Sequence, residues 1–188
     1  SNEKELTPYE GVKVNILALL KEDKDHMIIS MNKNNPQVFD PYKINILSGE
    51  IEQLYENTDL ANPITGYEFD KDGNLRSFSR LKNGINSEMY YAVDSGDYQL
   101  MKTTKWDDTF TILSFNYATE DPHDAYVLSN LESDKSRIYL YDLAKDEVIE
   151  ELFSNENYDV SGMDISRNRN WELDYFSYEG EKYKIVPV

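Results

Sequence analysis

The chain has no cysteine, which excludes disulfides, thiolate metal sites and a cysteine nucleophile. Histidine is nearly as scarce: His26 and His123 are the two present, too few donors for a structural zinc site without thiolates beside them. Positive charge is also short. Nineteen lysines and arginines face 36 aspartates and glutamates, a formal charge of −17. The excess runs along the whole chain without a long acidic block. Such a field favours solubility and repels phosphate backbones and anionic lipid, which argues against nucleic-acid and membrane binding. Long apolar runs are missing too. Val12–Leu20 is the most apolar stretch, yet Lys13 and Asn15 interrupt it and it falls well short of the ~20 residues that span a bilayer. No window sustains helical periodicity. None of the glycines from Gly11 to Gly180 begins a G-x-S-x-G sequence, so the nucleophile elbow of an α/β-hydrolase is absent. On these grounds no catalytic residue and no cofactor is expected in this chain.

What is present is a pattern that repeats. Tyr42–Leu54 reads YKINILSGEIEQL, Met89–Met101 reads MYYAVDSGDYQLM, and Tyr139–Leu152 reads YLYDLAKDEVIEEL. Apolar residues alternate in each: Tyr42, Ile44 and Ile46, then Met89, Tyr91 and Val93, then Tyr139, Tyr141 and Leu143. A turn follows every time, at Ser48-Gly49, Ser95-Gly96 and Lys145-Asp146, and then a second strand-like run. Short strands repeating every ~40–50 residues are the mark of a β-propeller, in which each repeat is one four-stranded blade.

Strand signals separated by turn chemistry follow one another along the chain. They predict strands at Val12–Leu19, His26–Met31, Tyr42–Leu47 and Glu50–Glu56, then at Ile64–Phe69, Leu75–Leu81, Glu88–Val93 and Tyr98–Thr104. A third set covers Phe110–Asn116, Ala125–Asn130, Arg137–Leu143 and Glu147–Ser154, and a last one Asp159–Ile165, Trp171–Tyr178 and Lys182–Val186. The reading is all-β: a partial β-propeller of about three and a half four-stranded antiparallel blades. Residues 1–188 form a single propeller segment, with blades near 12–56, 64–104 and 110–154 and a partial one at 159–188. Alternation places Ile46, Val93 and Leu143 together on the buried face. Open blade edges, one of them near Lys182–Val186, make self-association an expectation.

One connection is more particular. ISMNKNNPQVFDPYKINILSGEIEQL, with Asn32, Pro36, Val38, Phe39, Asp40, Ser48 and Gly49, resembles the propeller of prolyl-oligopeptidase-family serine peptidases, especially the acylaminoacyl-peptidase-like bacterial branch. The blade pattern alone is shared with TolB-like propellers. The resemblance spans roughly Val12 to Val188 and implies a propeller that covers an active site and admits short peptides. It also implies a C-terminal α/β-hydrolase domain in the parent protein and a peptide substrate or protein partner. A bacterial periplasmic and a bacterial cytoplasmic setting are both compatible with it. The paired glutamates that grip the substrate amine in the dipeptidyl-peptidase branch do not carry over to Glu150-Glu151, which fall in an outer strand.

Individual residues offer less. The histidines are expected in solvated turns or strand starts flanked by aspartates. Asp70-x-Asp72-Gly73 opens like a calcium loop, but its twelfth position is Leu81 instead of glutamate, so a hairpin turn is expected. Trp106 lies between the second and third repeats. Its ring either packs between adjacent blades or stays exposed as a contact for a peptide or protein partner. Trp171 is expected in a strand, within the core.

Overall fold

The computed structural model describes residues 4–94 and 96–188. Its strands are β1 (Val14–Leu19), β2 (His26–Met31), β3 (Asp40–Asn45), β4 (Ile51–Gln53), β5 (Ile64–Phe69), β6 (Leu75–Lys82), β7 (Asn86–Ala92) and β8 (Tyr98–Thr104). They continue as β9 (Phe110–Phe115), β10 (Asp124–Ser129), β11 (Arg137–Asp142), β12 (Glu147–Phe153), β13 (Val160–Ser166), β14 (Glu172–Glu179) and β15 (Tyr183–Pro187). Among the described residues the one helical element is a 3-10 turn at Arg167–Arg169. The strands form antiparallel sheets in strict chain order: β1 to β4, β5 to β8, β9 to β12, and the three-stranded β13 to β15. The fold is all-β, built of propeller blades.

The described chain divides into two compact units, one running to Ile85 and the other from Asn86 to Val188. In the first, Ile29, Met31, Tyr42 and Ile44 form a buried cluster on one face of the first sheet, with Leu6, Tyr9 and Val12 packed against it. In the second, Met89, Tyr91, Ile112, Phe115, Ala125, Val127, Tyr141 and Leu143 form the larger core. Ile138, Val160 and Phe176 form another, where the Phe176 ring stacks on Phe153 at 4.8 Å.

The alternating pattern therefore sorts its first two positions as expected. Tyr42, Ile44, Met89, Tyr91, Tyr139 and Tyr141 are all buried. The third position departs from expectation: Leu143 is buried, but Ile46 and Val93 are 38% and 47% exposed. All three lie one residue beyond the end of their strand, where the pleat no longer dictates the face a side chain takes. Leu143 reaches the Phe115 cluster; the other two turn to solvent.

Turn chemistry follows the sequence. Gly49 and Gly96 take left-handed φ of 79° and 84°, the conformation glycine adopts most freely. Ser95 of the second turn lies outside the described residues. The third turn has no glycine, and Asp146 takes φ 58° instead, since aspartate tolerates that region better than most side chains.

Candidate interaction site

Both histidines are held by side-chain hydrogen bonds instead of standing solvated. His26 lies at the start of β2, its Nδ1 2.8 Å from Asp23 Oδ1 and its Nε2 3.2 Å from Asn45 Nδ2. Asn45 Oδ1 accepts the N–H groups of Leu47 and Ser48 at 2.9 and 2.8 Å, so its amide nitrogen must face the ring. Nε2 is then the acceptor, and Nδ1–H donates to Asp23. His123 has its Nδ1 2.9 Å from the Tyr91 hydroxyl. Both ring nitrogens of His26 are thus occupied, and His123 Nδ1 is held by a tyrosine; among the described residues no hydrogen bond joins either histidine to a serine hydroxyl.

The connection that carries the family resemblance is a folded unit in its own right. Asn32 is buried; its Oδ1 accepts the Lys13 N–H at 2.7 Å, and its Nδ2 donates to the Pro36 carbonyl at 3.2 Å. Val38 is buried beside it, and Asp40 is 1% exposed. A carboxylate that deep needs donors, and it has three: Asn57 N–H on Oδ1 at 2.8 Å, and the side-chain amides of Asn34 and Gln53 on Oδ2 at 3.2 and 3.3 Å. The Phe39 carbonyl accepts the Tyr67 hydroxyl at 3.1 Å. Burial, reinforced by the Asp40 charge, pushes that hydroxyl well above the ordinary tyrosine range. Asn32, Phe39 and Asp40 thus tie the segment to the residue before β1, to β5 and to the β4 exit.

Asp70 is consumed by its own turn. Its Oδ1 accepts the N–H groups of Asp72 and Asn74 at 3.0 and 2.9 Å, and Gly73 takes φ 84°. This is the hairpin turn expected, with the carboxylate spent on the backbone. Glu151, in the edge strand β12, pairs with Arg137 at 2.7 Å and accepts the Ser154 hydroxyl.

The tryptophans exchange roles. Trp171 sits in the turn before β14 with φ 64° and is only part-buried, its ring 4.8 Å from Tyr117 and under the Arg167 guanidinium. Trp171, Leu173 and Tyr175 alternate with Glu172 and Asp174, so the strand pattern of β14 extends back over Trp171 in the sequence. Trp106 is 81% exposed. It stands in the turn between β8 and β9, closed by Asp108, which accepts the Lys105 N–H at 3.0 Å and donates its own N–H to the Lys105 carbonyl at 3.1 Å. Packing between blades is not where the ring lies. A second exposed apolar surface, which sequence reading missed, runs along β1: Val14, Ile16, Leu17 and Leu19 are 39–62% exposed. Their alternation looked like that of any half-buried strand. Only the sheet order, which leaves β1 at an edge, reveals them.

TolB from Acinetobacter baumannii superposes on this chain with a TM-score of 0.51 at 16% identity, covering 87% of this chain and 38% of TolB. The fold is that of a β-propeller. A prolyl endopeptidase aligns at a TM-score of 0.47 and 16% identity, covering 95% of this chain and 26% of that one. The β-propeller domain of the Trilobed protease from Pyrococcus furiosus aligns at 0.46 and 15%, covering 86% and 53%. This propeller chain therefore spans about half or less of each of those proteins. No family model matches it, and no curated protein does at significant similarity.

Proposed function

We propose that this chain is a non-catalytic propeller segment that gates and positions peptide substrates for a prolyl-oligopeptidase-like serine peptidase domain. The observation that carries the reading is the Asn32–Asp40 connection. The residues that resemble the peptidase family are the ones that build it, with Asn32 and Asp40 buried and hydrogen-bonded at each end. Binding residues commonly sit on loops held by a rigid scaffold, and the Trp106 turn offers a large exposed ring for a peptide to cover. A second reading, a TolB-like module that binds a protein partner, is favoured by the same exposed ring, since aromatic anchors dominate protein interfaces. Function at this level is argued from the site and from analogy of fold.

Tryptophan fluorescence separates the readings. In a Trp171→Phe variant the emission comes from Trp106 alone. Titration with short peptides should shift and quench it saturably, and Trp106→Ala in the full-length protein should lower kcat/KM for peptides while leaving small ester substrates unchanged. No response to any peptide, with no loss on substitution, would remove the gating role.

A further inference from the structure

Three of the sheets hold four strands each, and the one formed by β13 to β15 holds three among the described residues. Its outer strand, β15, therefore carries a row of backbone groups that no described strand receives. Alternation along an antiparallel pair identifies them. Gly180 N–H donates to the Lys182 carbonyl and Val188 N–H to the Asp174 carbonyl. Between these, Lys184 stands opposite Tyr178 and Val186 opposite Phe176, so these residues bond inward to β14. Tyr183, Ile185 and Pro187 turn the other way. The edge thus offers the N–H groups of Tyr183 and Ile185 and the carbonyls of all three. Pro187 loses no ladder bond there, which is where a sheet tolerates proline.

The side chains divide between the two faces of the strand. Lys182 and Lys184 line a shallow cleft with Tyr158, Tyr178 and Glu181, and the two tyrosine rings stack at 5.9 Å. Tyr183 and Ile185 take the opposite face and are 57% and 55% exposed. Among the described residues neither lysine makes a hydrogen bond or an ion pair, although the chain carries 36 carboxylates to 19 cations.

Two of the four-stranded sheets show what stands across from a basic residue on the third strand. Lys43 of β3 is in register with Glu52 of β4, and Arg137 of β11 pairs with Glu151 of β12 at 2.7 Å. In both, the fourth strand sets an acid against the base and an apolar residue next to that acid: Ile51 beside Glu52, and Leu152 beside Glu151. Opposite charges facing one another across strands stabilise the pairing. Lys184 likewise belongs to the third strand of its sheet, with its ammonium unmatched.

We propose that β15 receives an extended strand of a second polypeptide, with acidic residues at alternate positions facing Lys182 and Lys184. Apolar residues between them cover Tyr183 and Ile185. Strand addition of this kind draws its affinity from main-chain hydrogen bonds and its specificity from the alternating side chains. The acidity of the whole chain does not forbid it, because at about 0.15 M salt that field is screened beyond ~8 Å. The cleft itself holds two lysines to one glutamate. This inference rests on the β15 edge and is independent of the gating role proposed for the Trp106 turn.

A short blocked peptide alternating glutamate and valine, titrated into the nitrogen-15-labelled chain at physiological salt, tests this. Saturable binding is expected. The Tyr183 and Ile185 amides should exchange freely with solvent beforehand and become protected on saturation, while the Val186 amide, already bonded to β14, should not change. A peptide alternating lysine and valine should not bind. Lys184→Glu should weaken the acidic peptide about two- to fivefold, the range of an exposed cross-strand ion pair. Lys182→Glu combined with Lys184→Glu should reverse the preference in favour of the lysine peptide. Ile185→Pro removes an outward N–H and no bond to β14, so it should weaken binding about tenfold with the melting temperature nearly unchanged. No saturable binding, or equal binding of the two peptides, would overturn the proposal. So would protection of Tyr183 and Ile185 that precedes the peptide and grows with protein concentration, which would put a second copy of this chain on the edge.

Discussion

Glu68 lies in β5, in register with Ser77 of β6, which is fully buried. Burial pushes its pKa from the ordinary 4.5 to about 7, because leaving water costs the charged form most. Between those two values the folded state holds a proton that the unfolded state has released. The stability Glu68 contributes is then greatest below pH 4.5, falls as pH rises through the interval, and levels off above 7. Glu68→Gln should abolish this slope. Urea unfolding should find the variant more stable than wild type at pH 8, by on the order of 2–3 kcal/mol, with the two nearly equal at pH 4. A stability difference between wild type and variant that stays flat across that interval would refute the assignment. Nothing local signals this glutamate in Ile64–Phe69, where a polar residue is expected every second position.

At the scale of the element, the β5–β6 hairpin turns on Gly73. Its φ is 84°, and a Cβ there would meet Leu20 Cδ1 at 3.0 Å and Ile28 Cδ1 at 3.3 Å. Gly73→Ala therefore suffers both a left-handed backbone and a crowded side chain, and should cost about 1–3 kcal/mol, read as a lowered urea midpoint with unchanged slope. Gly84→Ala, also at positive φ but with nothing within 4 Å, should cost less, and the difference isolates the packing. Hairpins were the most legible elements. His26–Met31, Ile64–Phe69 and Tyr98–Thr104 appear with the bounds expected, and most other strands lie within a residue or two. β4 is the exception, stopping at Gln53 short of the expected Glu56, and β3 begins at Asp40-Pro41, two residues early. Aspartate and proline both disfavour strands, and here the buried Asp40 hydrogen bonds override that preference.

At the scale of the whole molecule, two properties oppose each other. The formal charge of −17 keeps copies apart at low ionic strength, while the exposed apolar side chains of β1 and the free edge of β15 favour association. Screening weakens the first within a Debye length of about 10 Å at 0.1 M salt and leaves the second intact. Light scattering should therefore record a mass that grows with protein concentration at 0.5 M salt and stays monomeric at 10 mM. A strict monomer in both would show that the β1 surface is not adhesive.

Strict chain order within every sheet also bears on how quickly the native state is found. Among the described pairings, the widest in sequence are His26 with Asn45 and Phe110 with Ser129. No strand has to wait for a partner synthesised much later, so the loop entropy surrendered at each step is small. All-β proteins are usually slow because their contacts are distant along the chain; meanders like these are spared much of that delay. Each sheet can zip from its own turn during translation, before the next has left the ribosome.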